Sequence, residues 1–338
     1  MPEENKISKL FQEFNKKNVM IIGDVMIDAY LWGKVDRISP EAPVPVVALH
    51  KRENRLGGAA NVALNIKAMG ATPILCTVIG NDRQSEIFFE LMEVEKMKTC
   101  GLIRSNDRLT TTKFRVIGNN VQMLRVDEET TLDLNAEEEK NLFEEISLII
   151  EENEVSAIIF QDYNKGVLTP TLIKKLIQLA REKGIPTTVD PKKQNFLAYR
   201  GVTLFKPNLK ELREGLKMDI EASQPEVLED ASSRFQDQQD IDIMLLTLSE
   251  HGIMIRKKGT DRQSETHFIA AHKRNIADVS GAGDTVISLA TLCLASGCSL
   301  REIAAISNLA GGLVCEEVGV VPIKGDRLLQ EVLRELKE

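Results

Sequence analysis

The sequence predicts an α/β fold, a mostly parallel sheet with helices on both faces. Two observations predict it. First, short apolar runs recur along the chain, among them "NVMIIG", "TPILCTVIG", "VSAIIF", "IPTTVD", "GVTLFKPN" and "DIMLLTLSEHG", and helical stretches separate most of them. Near-continuous apolar strands alternating with helices belong to parallel sheets buried on both faces. Second, two segments break that rhythm. "GKVDRISPEAPVPVVALHK" carries Pro40, Pro43 and Pro45 before an alternating run, and "LTTTKFRVIGNNVQMLRVD" alternates around Asn119-Asn120, a hairpin signal. They predict a small β-structure, about 33–52 with 109–127, projecting as a lid from a single domain spanning 1–338.

The elements follow in order. Residues 4–17 place Ile7, Leu10, Phe11 and Phe14 at helical spacing. Val19 to Ile22 form a buried strand that ends in Gly23-Asp24. Gly57 and Gly58 are expected to open a helix whose apolar face holds Val62, Leu64, Ile66 and Met69, with Gly70 as its stop. Asn135 and Glu138 suggest a cap before a helix over 136–152. Thr169 caps the next helix, with Pro170 in its first turn and Gly184 beyond its end. A further helix starts near Ala282 and runs to about Ser296 and Gly297; Ser299 and Glu302 form a capping box before the last long one. In parallel sheets ligands bind beyond the carboxyl ends of the strands. The polar residues there are Asp24 and Asp28, 161–165, 190–192, 206–211 and 247–252.

Composition narrows the function. The 338 residues are 43% apolar and 28% charged, as in ordinary globular proteins. A chain of this length buries about three quarters of its unfolded surface, so it needs no disulfide or metal staple. The net charge of -8 argues against nonspecific binding to nucleic acid or anionic membrane. Five cysteines (76, 100, 293, 298 and 315) form no CxxC pair and read as reduced thiols of a cytoplasmic protein. Four histidines make no HExxH or HxGH, so no zinc site is expected. The N-terminus lacks a signal-peptide apolar region, and no apolar run reaches the roughly 20 residues that span a membrane.

The chemistry concentrates in "ADVSGAGDT", residues 277–285. The first amides of a helix have no intrahelical partner and, with the helix dipole, favour an anion. Gly281, Ala282 and Gly283 let such a ligand approach the backbone. Asp284 then either stabilises the helix start or takes a proton from an attacking hydroxyl beside a phosphate. The second glycine site, "RLGGAAN", offers either a tight turn or a contact with sugar hydroxyls through Gly57, Gly58 and Asn61.

Together "LGGAANVALNIKAMGA" and "DVSGAGDTVISLATLCLASG" resemble the two signatures of the PfkB (ribokinase-like) family of carbohydrate kinases, over about 18–324. The resemblance implies a ribokinase-like fold and transfer of phosphate from ATP with Mg²⁺. It implies Asp284 as the catalytic base and the amides of Gly281, Ala282 and Gly283 as the anion hole. It puts the sugar on Asp28, Gly57, Gly58 and Asn61. "NLKE" is similar to the family's NxxE motif, which implies Asn208 and Glu211 near the phosphates, with Glu211 reaching the magnesium through water. Thr247 and Gly252 would meet the nucleotide, Asn308 would close the adenine pocket, and Asp278 would help hold a monovalent cation such as K⁺. Within the family, "GDVMIDAYLWGKVDRISPEAPVPVV", "QDYNKGVLT" and "VQMLRVDEE" resemble stretches of the heptose 7-phosphate kinases. Asn164, Gln161 and Ala277 depart from that pattern.

The expected reaction is ATP-dependent phosphorylation of the anomeric hydroxyl of D-glycero-β-D-manno-heptose 7-phosphate. The substrate's own phosphate needs cations: Arg37, Arg104, Lys113, Arg115, Arg125, Lys165 or Lys192, of which Arg125 and Lys192 are preferred. Alternatives are another sugar, sugar phosphate or nucleoside as acceptor, and a non-catalytic sugar- or nucleotide-binding regulator. A Rossmann dehydrogenase is disfavoured, because no GxGxxG follows the first strand. The partners expected are ATP, a sugar phosphate and a second copy of the chain in a homodimer, with neither nucleic acid nor membrane. The nucleotidyltransferase segment with its HxGH, which accompanies such kinases in ADP-heptose synthase, is not in this sequence, so adenylylation is not expected.

Overall fold

The computed structural model describes residues 2–259, 264–272 and 274–335. In chain order its elements are α1 (Pro2–Phe14), β1 (Asn18–Gly23), β2 (Val25–Ile38), β3 (Pro45–Gly58), α2 (Ala59–Ala68), β4 (Thr72–Gly80), α3 (Arg83–Val94), β5 (Leu102–Ser105), β6 (Thr112–Gly118), β7 (Val121–Glu128), α4 (Ala136–Glu152), β8 (Ala157–Gln161) and α5 (Pro170–Glu182). Then come β9 (Thr187–Asp190), β10 (Leu204–Phe205), α6 (Leu209–Leu216), α7 (Pro225–Gln239), β11 (Ile243–Thr247), β12 (Ile253–Lys257), β13 (Glu265–Ile269), α8 (Ala282–Ala295), α9 (Leu300–Val314) and α10 (Gly325–Glu335).

A nine-stranded sheet runs in the order β13-β12-β11-β10-β9-β8-β1-β4-β5. Its strands from β11 to β5 are parallel, and β12 and β13 extend it antiparallel. Alternate side chains of each strand enter two cores. Val19 and Ile21 of β1 join the core under α1, α2, α8 and α9, whereas Met20 and Ile22 join the core under α4, α5 and α7. The mostly parallel sheet with helices on both faces is therefore observed. Among the described residues no helix is long and apolar enough to cross a membrane.

A second sheet, β3-β2-β6-β7, stands beside the first. Its hairpin turns at Asn119 and Asn120, both at positive φ (51° and 65°), as a two-residue turn between twisted strands requires. This sheet starts earlier than the lid boundary expected at 33. β2 leaves β1 after a single residue, Asp24, and pairs with β3 from Val25↔Gly58 onward. Gly57 and Gly58 consequently close a strand, and the helix opens only at Ala59. The first helix likewise stops at Phe14, because Asn15 to Lys17 fold into a turn that feeds β1.

Candidate active site

The two glycine motifs converge in space. Helix α8 begins after Gly281, which is its N-cap at φ 82°, a conformation that favours glycine. No side chain caps this end. The Ala282 amide donates to the Val279 carbonyl at 3.3 Å. Among the described residues, the amides of Gly281 and Gly283 carry no acceptor. The expected three-amide hole is thus reduced to two, because the tight turn before the helix uses the middle one.

Asp284 lies in the first turn of α8 and is buried. Its Oδ2 accepts from Asn61 Nδ2 at 2.7 Å; its Oδ1 accepts from the Tyr163 hydroxyl at 2.7 Å and from Gln161 Nε2 at 3.1 Å. Burial pushes the carboxyl up to about 6, against the hydrogen bonds from Asn61 and Tyr163, which pull it down. Asn61 comes from the first turn of α2, so the N-termini of α2 and α8 meet at this carboxylate. Asn65, one turn on, locks the pair. It donates to Asn61 O and accepts from the Thr285 hydroxyl and the Ile323 amide.

A cleft of about 770 Å³ opens from Asp284 along the carboxyl ends of β9, β10 and β11. Gly281, Gly283, Asn208, Thr247, Gly252 and Asn308 line it, as does Ala282. Asn208 caps α6 by accepting from the Glu211 amide, and Glu211 returns the bond to Asn208 N. The NxxE pair is therefore also a capping box. Asn308 donates to Ala270 O and so ties α9 to the chain leaving β13. Asp190, at the end of β9, pairs with the buried Lys206 at 3.0 Å and with Lys192 at 3.6 Å. Burial alone would raise Asp190, but the two ammonium groups outweigh it and hold the carboxyl below its ordinary value. Lys192 also reaches Glu211. It stands on the cleft wall with Asp190; the sequence reading gives it to the substrate's phosphate.

Asp28 is buried on β2, and its Oδ1 accepts from Arg115 at 2.6 Å. Gly57 packs over it; a Cβ there would stand 2.4 Å from Asp28 Oδ2, so only glycine fits. Arg125 does not join this pair. Its guanidinium makes a two-pronged bond to Asp127 on its own strand and stays 48% exposed. Lys113 and Lys165 are bound through Asp127 and Glu129 nearby, Arg104 pairs with Glu86 elsewhere, and Arg37 is exposed at the end of β2. Arg115 is thus the cation in place, and Arg125 faces it across β6 and β7. Asp278 accepts from the Ser280 amide with one oxygen and the Gly319 amide with the other, so it shapes the loop before α8.

Sequence reasoning did not single out Tyr163, Gln161, Asp190 or Lys206 as pieces of this site, and it held Arg115 only as one of seven candidate cations behind Arg125 and Lys192. A signal existed for the first four, since they are polar residues at or just past strand ends. Which of them turns toward Asp284 is decided by packing across the sheet.

Comparison with known proteins agrees with this fold. The profile described as "pfkB family carbohydrate kinase" matches residues 16–324. "Bifunctional protein HldE" of Methylobacillus flagellatus is 40% identical over 93% of this chain and 63% of that protein. The proteins of the same name from Coxiella burnetii and Geobacter sulfurreducens are 40% and 34% identical, with 62% and 63% of their lengths covered. The chain therefore spans somewhat less than two thirds of these relatives. Among solved structures, Escherichia coli phosphofructokinase-2 in complex with fructose-6-phosphate superposes with a TM-score of 0.76 at 19% identity, covering 95% of this chain and 99% of that one. Arabidopsis thaliana ribokinase complexed with ribose and ATP gives 0.67 at 14% identity, covering 93% and 98%. At such identities the likeness is one of fold.

Proposed function

The chain belongs to the pfkB family of carbohydrate kinases, and on that premise we propose that it phosphorylates the anomeric hydroxyl of D-glycero-β-D-manno-heptose 7-phosphate with ATP. The observation that carries the reading is the buried Asp284 carboxylate, held by Asn61 at the start of a helix whose Gly281 and Gly283 amides are open. The sugar hydroxyl loses its proton to Asp284 as its oxygen bonds the γ-phosphorus. The bond from that phosphorus to the bridging oxygen breaks, and its electron pair leaves with ADP. The amides take up charge on the phosphoryl oxygens. Asp28, Gly57, Gly58 and Asn61 bind the sugar, while Asn208, Thr247, Gly252 and Asn308 bind the nucleotide.

A divalent ion fits the cleft. Asp190 Oδ1 is buried without a hydrogen bond, and the Lys192 ammonium sits between Asp190 and Glu211, a place where two carboxylates already hold positive charge. Magnesium needs one or two carboxylates besides phosphate oxygens. Asp190 and Glu211 would hold it, and it would neutralise charge on the β- and γ-phosphates.

The heptose assignment is supported by the "RISPEAPVPV" stretch and its neighbours; a sugar phosphate in general is supported by Arg115 beside Asp28, with Arg125, Lys113 and Lys165 close by. Exposed Leu124 and Val126 on the small sheet support a homodimer with that sheet as lid. The potassium expectation rests on Asp278 and is read by comparing turnover in K⁺ and Na⁺. The deciding experiment is an ADP-release assay on heptose 7-phosphate beside fructose 6-phosphate and ribose, with the product's phosphate located by phosphorus NMR. The expected result is a 1,7-bisphosphate from the heptose; preference for another acceptor removes the heptose. Asp284→Asn should fold and lose turnover by about 100-fold or more; turnover near wild type removes the base.

A further inference from the structure

Lys206 follows β10 and is 3% exposed, yet it lines the cleft with Asp284 and Gly283. A lysine this buried is rare unless paired. Its partner is Asp190 Oδ2 at 3.0 Å, a bond that uses one of three N–H donors. A Cβ built on Gly283 would stand 3.7 Å from Lys206 Nζ. The ammonium therefore lies close to Gly283, whose amide is open at the start of α8. Its neighbour Lys192 is different: more exposed and shared between two carboxylates. Lys206 is the fixed charge, held by packing and by Asp190 whether or not a ligand is present.

We propose that Lys206 is a catalytic residue whose ammonium hydrogen-bonds a non-bridging oxygen of the phosphoryl group in flight. This rests on the reading of the cleft as a phosphoryl-transfer site and adds a residue to it. The lysine keeps its protons throughout. It supplies positive charge on the side of the phosphoryl group facing β9 and β10, complementing the Gly281 and Gly283 amides. A preorganised charge of this kind acts on the transition state more than on bound ATP.

The test is Lys206→Met and Lys206→Gln, compared with the wild-type chain on its best sugar acceptor. The expected result is a fall in kcat on the order of 100-fold, with KM for ATP and sugar within about threefold. Ethylammonium should restore part of the turnover of Lys206→Ala, in a dose-dependent way, and leave the wild type unchanged. A kcat within about threefold of wild type overturns the proposal. So does a loss confined to the KM of ATP, which marks a lysine that only binds nucleotide. If the neutral variants do not fold with Asp190 left unpaired, Lys206→Arg keeps that pair while displacing the charge. It should lose at least tenfold in kcat, and wild-type kcat overturns the proposal. Turnover of the wild type, measured alongside, tests the kinase reading separately.

Discussion

Asp284 must be buried and charged at once, and its behaviour with pH follows from that conflict. With the carboxyl pushed up to about 6, the base is half protonated there. kcat/KM should fall about tenfold per pH unit below 6 and level off above it; an acidic limb near pH 4 would remove Asp284 as the base. Charging it costs about two pK units, or on the order of 3 kcal/mol. The folded pKa lies above the ordinary 3.8, so the cost is absent below about pH 4 and fully felt above pH 6. Asp284→Asn should therefore unfold no lower than wild type at pH 8 in a thermal melt, and lose any advantage at pH 4. Gly283 tests the approach to the anion hole. A Cβ there would meet Asp190 Oδ2 at 3.4 Å and Lys206 Nζ at 3.7 Å, ordinary contacts. Gly283→Ala should fold with an unchanged or raised Tm and lose on the order of tenfold in kcat/KM for ATP, since the methyl fills the space a phosphate needs. Wild-type kcat/KM would show that no ligand passes that way.

Elements defined by local signals were legible in the sequence. The capping boxes of α4 and α9, the Thr169 cap of α5 and the Asn119-Asn120 hairpin use residues a few positions apart, so spacing alone reveals them. The start of β2 and the end of β3 were not legible. Gly57 and Gly58 look like a helix opening until β2 pairs with them, a contact thirty residues away. The same holds for the joint between α2 and α8. Asn65 reads as one polar residue on an apolar helix, but it is fully buried and bridges Asn61, Thr285 and Ile323. Asn65→Ala leaves those groups unpaired and should cost about 3 kcal/mol in urea unfolding. Asn61 then loses support, so kcat should fall as well. A stability loss below about 1 kcal/mol would mean the two helices are held by apolar packing alone.

For the molecule as a whole, two buried carboxylates set the acid side of stability. Asp24, which caps the 163–167 loop through three amides, and Asp284 are each pushed up to about 6, mainly by burial. Their contributions are complete below about pH 4 and are lost as pH rises through 6. Asp127, held low first by Arg125, and Asp190, held low by its lysines against burial, act oppositely, so their stability is lost as pH falls below about 4. Urea midpoints should peak near pH 4 and fall as pH rises toward 6; a steady rise from pH 5 to 8 would contradict this balance. The sequence by itself determined the alternation of strands and helices, the caps, the hairpin and the two glycine motifs, because each is written in neighbouring residues. Tertiary structure alone decided that Ala282 turns its amide away and that Arg115, not Arg125, reaches Asp28. It also decided that Tyr163, Gln161 and Asn61 share one carboxylate and that Lys206 lies under α8. Those outcomes depend on which strand ends lie side by side and which side chains burial forces to find partners, and spacing along the chain does not encode either.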